Sequence, residues 1–442
     1  MGVFWGNWGV VSIVVLVANT DAAEGSINSP QDNLNLAGDG QFCDAAAQPC
    51  PGQRLHRSKG AGVRGAGEGE FDWAGQDEEL AHDHVTKDGW DGNGYITFCP
   101  CMGNFGNQIE QYLGAIALAK VVNRTLILPP FYHVYHRARQ LQNVPFTDLF
   151  QLGALRQFHR VIPVHDFLTI LAPEHWPAGQ RRGYAYPFGG ECSLTQSKYF
   201  YKDLNPPVVF DDCVPCKLRF DVNFSADERA KGAIKNLWSN SFSPQSHPVL
   251  AFNGPIGIFP MIAGNRYLQK YLRWADTAYF AVAQVYISET FGKDIWVAIH
   301  LRNGEDWVKA CKTDLSTLAY MMASPQCHEK KIGAVTKDLC LPSIPHMLEL
   351  TLQVFQDVKA KHLFIATDKH PHLQEFRMLL HPLGVSVHHL NPDIPQVDLM
   401  ILGQADFFIG TCTSSFTSFV KRERDANGKP SIFWGQEYKG FQ

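Results

Sequence analysis

The chain has 442 residues, 45% of them apolar, with 39 basic and 43 acidic side chains and a formal charge of −4. A single hydrophobic core rarely grows past about 250–300 residues, so this length predicts two core-bearing domains. The near-balanced charge excludes nucleic-acid binding through the overall field, and any bound anion has to be held by local geometry.

Residues 1–23 read as a signal peptide. Val10-Val11-Ser12-Ile13-Val14-Val15-Leu16-Val17-Ala18 is too short a run for a good transmembrane helix, and the small residues Ala22 and Ala23 suit cleavage. The segment lacks Lys and Arg, and an uncleaved anchor is the alternative. No other stretch reaches about 18 apolar residues, so no transmembrane span is expected after cleavage and the rest is predicted to be lumenal or secreted. The 11 cysteines fit disulfides with one thiol left over, and buried free thiols are the competing reading. Asn123-Arg124-Thr125 and Asn223-Phe224-Ser225 are glycosylation sequons in keeping with secretion.

Residues 24–88 are rich in Gly, Ala, Asp, Glu and Gln, without apolar periodicity, and are expected to be a disordered leader in which Cys43 and Cys50 could close a small loop. Order begins near Gly94. Tyr95–Cys99 reads as a strand, Met102–Asn107 as a glycine turn, Gln108–Val122 as a helix, and Thr125–Leu128 as a second strand stopped by Pro129-Pro130. The same grammar returns with a strand at Trp296–Arg302, a helix over Ile344–Lys361 and a strand at His362–Asp368. A short helix at Val397–Ala405, a strand at Asp406–Gly410 and a helix from Thr413-Ser414-Ser415 to about Arg424 complete it. The economical fold is α/β: two halves across a cleft, at 89–265 and 266–442. The stretch 177–245 gives no clear secondary-structure signal.

Ligands of open α/β sheets bind beyond the carboxyl ends of the strands, and three segments qualify. Gly103-Asn104-Phe105-Gly106-Asn107 could bring backbone N–H groups to an anion, although an ordinary turn with Asn107 as N-cap explains it equally well. His300 and Arg302 fall on one face of a buried strand, where two basic groups need a partner. A diphosphate would serve, and so would Glu305 or Asp306 just downstream. Thr411-Cys412-Thr413-Ser414-Ser415-Phe416-Thr417 offers hydroxyls at a helix start, as a phosphate socket or as a plain cap. Asp398 could accept from a guanine or simply cap its helix. The chain has no Asp-x-Asp, His-Glu-x-x-His, Walker loop or Gly-x-Ser-x-Gly elbow.

These segments, in this order, resemble the GDP-fucose protein O-fucosyltransferases, in their EGF-acting branch. The resemblance rests on Tyr95–Thr125 (YITFCPCMGNFGNQIEQYLGAIALAKVVNRT), Pro145–Phe150 (PFTDLF), Ala172–Pro177 (APEHWP), Leu268–Asp276 (LQKYLRWAD), Val297–Cys311 (VAIHLRNGEDWVKAC), Met322–Cys327 (MASPQC) and Gln396–Asp425 (QVDLMILGQADFFIGTCTSSFTSFVKRERD). It implies the GT-B fold, two Rossmann-like domains facing across a cleft. It also implies a monomeric, inverting transferase in the endoplasmic reticulum lumen that moves fucose from GDP-fucose to Ser or Thr of EGF-like repeats, with no metal required in the site.

By resemblance, Asn107 and Arg302 are the catalytic pair. Asn104, Phe105, Gly106, Asn107, His300, Leu301, Arg302, Asp398, Ser415, Phe416 and Thr417 bind GDP-fucose, with Arg302 on the β-phosphate and Asp398 on guanine. The resemblance also implies disulfides Cys99–Cys101, Cys311–Cys340 and Cys327–Cys412, and glycans at Asn123 and Asn223; it leaves Cys192, Cys213 and Cys216 unassigned. The chain departs from the family at Asn104, where Arg is usual. It also lacks the segment EGNPFGPFWD between Cys192 and Val222 and the usual retention tail. A non-catalytic EGF-repeat chaperone with the same fold, or an enzyme acting on thrombospondin-type repeats, are the competing readings.

Overall fold

A computed structural model describes residues 88–440 apart from 137–138, 187–191, 196–197, 319 and 328–334. The expected signal peptide, all but the last residue of the expected leader, and Cys43 and Cys50 lie outside the described residues. The described residues all belong to one compact unit, which contains two parallel sheets.

The first sheet is built from short, buried apolar runs: β1 (Tyr95–Phe98), β2 (Thr125–Leu128), then, after an antiparallel hairpin of β3 (Phe131–His136) and β4 (Arg139–Val144), β5 (Val161–Pro163), β6 (Arg182–Ala185), β7 (Asp212–Pro215) and β8 (Val249–Phe252). Its order is β5-β2-β1-β8-β6-β7, parallel throughout. All four residues of β1, β2 and β8 are buried, as parallel strands covered on both faces require. The stretch 177–245, unread in the sequence, supplies β6, β7 and two helices, Lys198–Lys202 and Glu228–Ser241.

The second sheet holds β9 (Trp296–Leu301), β10 (His362–Thr367), β11 (Ser386–His388), β12 (Phe407–Gly410) and β13 (Ser431–Phe433) in the order β11-β10-β9-β12-β13, again parallel. This is the doubly wound arrangement, in which the chain adds strands on one side of β9 and then on the other. The crevice between the ends of β9 and β12 is its switch point. The first sheet reverses in the same way between β1 and β8.

The first helix runs over Phe105–Val122, three residues earlier than expected, because Asn104 in extended conformation is its N-cap. Asn107 therefore lies in the first turn and is not the cap. At the other end Asn123 closes the helix in a left-handed conformation, φ 59°. Its sequon partner Thr125 is buried in β2 and donates to Asp91 at 2.5 Å. The second sequon residue, Asn223, is exposed.

One apolar core passes through both sheets. It joins Phe98 of β1, Leu113 and Ile116 of the first helix, Ala298 of β9, Phe408 of β12 and Phe419 of the helix Ser415–Ala426. Aromatic rings fill the junction, with Phe150 4.8 Å from Trp274 and Trp274 5.1 Å from Phe419 between centroids. Cys99–Cys101, Cys311–Cys340 and Cys327–Cys412 are bonded, and Cys192 pairs with Cys213. Cys216 is a buried free thiol whose pKa burial pushes up to about 11, which keeps it protonated and inert. Among the described residues no helix is long and apolar enough to cross a membrane.

Candidate active site

Alternation along β9 divides its side chains. Val297, Ile299 and Leu301 pack with Met347, Leu350 and Val354 of the helix Ile344–Val358, while His300 faces the other way. His300 is 3% exposed, and its Nδ1 lies 2.7 Å from the Thr417 hydroxyl, which also accepts the Thr411 N–H at 3.1 Å. The Phe416 ring sits 4.9 Å from the imidazole. Burial first, and the charge of Arg302 second, bring the His300 pKa down to about 3, so the ring is neutral at physiological pH.

Arg302 begins just past the end of β9. Its guanidinium pairs with Asp306 at 2.5 Å and with Asp368, and lies over the Trp307 ring at 4.9 Å. The ion-pair reading of the sequence is thus met at Asp306. Glu305 instead reaches Lys369 at 3.6 Å. For Asp306, burial acts to raise the pKa, but the hydrogen bond and charge of Arg302, together with the backbone N–H groups of Trp307 and Asp306, outweigh it and hold the carboxyl below its usual range. Asp368 was not foreseen. It follows β10, whose Thr367 stands beside Leu301 in register, and its carboxylate accepts the N–H groups of Asn303 at 2.8 Å and Gly304 at 3.0 Å. A carboxylate 66 positions downstream is visible as a partner only once β9 and β10 are known to be neighbours.

The glycine turn and the 411–417 segment meet. Ser415 Oγ donates to Asn107 Oδ1 at 2.6 Å, and one turn further in Ser418 Oγ donates to Glu110 Oε1 at 2.8 Å. The equal spacing of these two rungs means that helices 105–122 and 415–426 run parallel with their N-termini together. Gly106 permits the approach, since a Cβ there would stand 2.7 Å from Ser415 Oγ and 2.8 Å from the Phe416 nitrogen. Each helix start carries the equivalent of about +0.5 charge, so the two together make a field suited to an anion.

Both walls of this junction are braced. Gln108 Nε2 donates to the Gly103 carbonyl at 3.1 Å and to that of Tyr132 at 2.7 Å, and Gln111 Nε2 to that of Met102 at 2.8 Å. Ser414 is a plain cap, its Oγ accepting from the Thr417 nitrogen at 3.5 Å, which leaves the Ser415 hydroxyl for Asn107. The Ala323 N–H donates to the Thr413 carbonyl at 3.1 Å and Gln326 Nε2 to that of Ser414 at 3.2 Å, beside the Cys327–Cys412 bond.

The remaining predicted residues divide. Asp398 is 5% exposed in the first turn of the helix Gln396–Gln404, whose N-cap is Pro395, so the capping alternative fails. The run from β11 through this helix to β12 puts Asp398 at the same carboxyl edge as Arg302. Asn104 is exposed beside the first helix. The side chains of Phe105 and Leu301 pack into the core, which leaves their backbone groups for the donor contacts expected of them. The VKRERD signature is structural in part. Arg424, fully buried, donates to the carbonyls of Ala405 at 2.6 Å, Pro430 at 2.8 Å and Asp406 at 3.1 Å.

Comparison with known proteins agrees with this geometry. The sequence model of the family GDP-fucose protein O-fucosyltransferase matches residues 95–427. The chain is 35% identical over 365 residues to GDP-fucose protein O-fucosyltransferase 1 of Caenorhabditis elegans, covering 78% of this chain and 91% of that one. Its fold matches the crystal structure of POFUT1 in complex with GDP-fucose with a TM-score of 0.71 at 35% identity, and that of POFUT1 in complex with GDP with a TM-score of 0.70 at 35% identity. Each match covers 78% of this chain and 99% of the other. Two parallel, doubly wound sheets, a site at their carboxyl edges and these matches together establish a GT-B protein, and the chain belongs to the GDP-fucose protein O-fucosyltransferase family of fucosyltransferases.

Proposed function

We propose that this chain is an active inverting transferase that moves fucose from GDP-fucose to Ser or Thr hydroxyls of folded EGF-like repeats. It acts as a monomer in the endoplasmic reticulum lumen, on Notch-type proteins, and needs no metal in the site. Residues 89–265 form the first Rossmann-like domain and 266–442 the donor-binding one. The observation that carries the reading is the convergence of two helix N-termini on Asn107 and Ser415, next to β9, which carries His300 and leads into Arg302.

The roles are those the family resemblance implies, and the geometry is compatible with them. The diphosphate lies against the helix starts at Ser415, Phe416 and Thr417, and Arg302 takes the β-phosphate in a bidentate contact. Asp306 is 69% exposed and is the carboxylate that a phosphate displaces, whereas Asp368, anchored by two backbone N–H groups, stays and aims the guanidinium. Neutral His300 lies against the nucleotide without adding charge. Asn107, its Oδ1 engaged by Ser415, keeps its Nδ2 protons for the glycosidic oxygen. Asp398 accepts from guanine N1 and N2.

In the transfer, the bond from the fucose anomeric carbon to the β-phosphate oxygen breaks, and its electron pair leaves with GDP. The acceptor hydroxyl bonds to the oxocarbenium-like carbon, and a phosphate oxygen takes the hydroxyl proton. Arg302 and the helix termini stabilise the charge that builds on the leaving group, so a strong base is not needed.

The test is transfer from GDP-fucose to a folded EGF-like repeat, read by mass spectrometry, with a thrombospondin-type repeat alongside. The expected result is fucosylated EGF repeat, with Arg302→Ala slower by at least about 100-fold, the scale of one lost transition-state donor. GDP binding with no transfer above that variant would sink the enzyme reading and leave the chaperone one. Preference for the thrombospondin-type repeat would overturn the acceptor.

A further inference from the structure

Building on the donor site just described, we propose that Glu110 and Arg422 are positioning residues for fucosyl transfer, setting the register of the two helices that present Asn107 and Ser415. Glu110 is 2% exposed and Arg422 6%. Arg422 Nη1 pairs with Glu110 Oε1 at 3.1 Å, and the same oxygen accepts from Ser418 Oγ at 2.8 Å. The other carboxylate oxygen accepts the Met261 N–H at 2.8 Å, and Arg422 Nε donates to Gln269 Oε1 at 3.1 Å. One buried point thus ties the first helix, the last long helix and the 261–271 connector between the two sheets.

Packing alone does not fix this register. Gly106 puts no side chain between the helices at the mouth, where a Cβ would otherwise act as a stop. Apolar contacts tolerate small slides, but a buried ion pair does not. A shift of one residue, about 1.5 Å along a helix, unmakes every bond to the carboxylate and strands a charge in the core. Such pairs are poor sources of net stability and are well suited to specifying one arrangement. Glu110 lies one turn from Asn107, and Ser418 one turn from Ser415, so two rigid helical turns carry the constraint to the reacting bond. The pair touches no substrate and acts only by holding Asn107 against Ser415.

The test compares wild type, Glu110→Gln, Ser418→Ala and Arg422→Lys, each assayed well below its own Tm and normalised to folded protein. Misplacement of a catalytic group by about 1 Å can lower rate by about 100-fold, so Glu110→Gln is expected to lower kcat by about tenfold or more. Ser418→Ala should lower it by about threefold, since the ion pair survives. An added Arg422→Met should lose rate as Glu110→Gln does, and Arg422→Lys, which keeps the charge, should recover part of that loss. The Kd for GDP should stay within about threefold throughout, because the proposed diphosphate contacts at Arg302, Ser415, Phe416 and Thr417 do not depend on the register of the two helices. If Glu110→Gln does not fold, Ser418→Ala carries the test. Unchanged kcat per folded molecule in these variants, or equal losses in kcat and GDP affinity, overturns the inference. A wild type that transfers no fucose overturns the functional reading beneath it, and the two failures are told apart by the wild-type assay.

Discussion

Burial decides the charge state of two histidines with different jobs. His300, held against Thr417 and Phe416, has its pKa brought down to about 3, and His159, bonded to the Arg124 carbonyl at 2.7 Å, is brought down to about 4, in both cases by burial first. Each binds its proton in the unfolded chain near the usual 6.5 but not in the folded one. Their stability is therefore fully present above that value and is lost as pH falls toward 3–4, by up to about 1.4 kcal/mol per pH unit for each. Urea unfolding at pH 7, 6 and 5 should show this slope reduced by about one histidine's worth in His159→Gln, which lies outside the site. An unchanged slope would mean that His159 titrates normally in the fold. Arg302, Arg422 and Arg424 look alike in a sequence, yet one pairs with two carboxylates just past a strand, one joins two helices and one gathers carbonyls. Only the neighbours that folding supplies distinguish them.

The two parallel helices are where the elements become a site. Their capping residues are Asn104 and Ser414, and the sequence admits Asn107 as an alternative to the first because both Asn positions suit a cap. The close approach at Gly106 yields a direct test. Gly106→Ala places a methyl 2.7 Å from Ser415 Oγ and 2.8 Å from the Phe416 nitrogen, so the helix starts must separate. Overpacking of this kind costs about 1–3 kcal/mol, and a thermal melt should show the loss together with a fall in kcat that exceeds any fall in GDP affinity. Retention of both stability and rate would show that the helices need not touch. The glycine turn and the Ser/Thr turn were each legible as candidate anion sites from residue type. That they face each other was not, because 308 positions separate Asn107 from Ser415.

At the scale of the molecule the two sheets share one core, with Phe98, Leu113, Ala298, Phe408 and Phe419 in a single cluster and the Glu110–Arg422 pair crossing between helices of the two halves. The expected outcome is one cooperative unfolding transition, with calorimetric and van't Hoff enthalpies in agreement, measured with disulfides intact. Two separable transitions would mean that each half holds a sufficient core of its own.

Several features of this protein follow from its sequence alone. The βαβ grammar, the strand ending His300-Leu301-Arg302 and the glycine and Ser/Thr turns are local, because periodicity and turn chemistry act over a few residues. The tertiary structure alone decided which charges meet: Asp368 beside Arg302 through the β9–β10 register, Ser415 on Asn107, and Arg422 on Glu110. It also decided that the side chains of Phe105 and Leu301 pack into the core. The physical reason is one of range. Local propensity fixes an element, but pairing across hundreds of residues is set by which buried faces and charges find compensation when the whole chain packs.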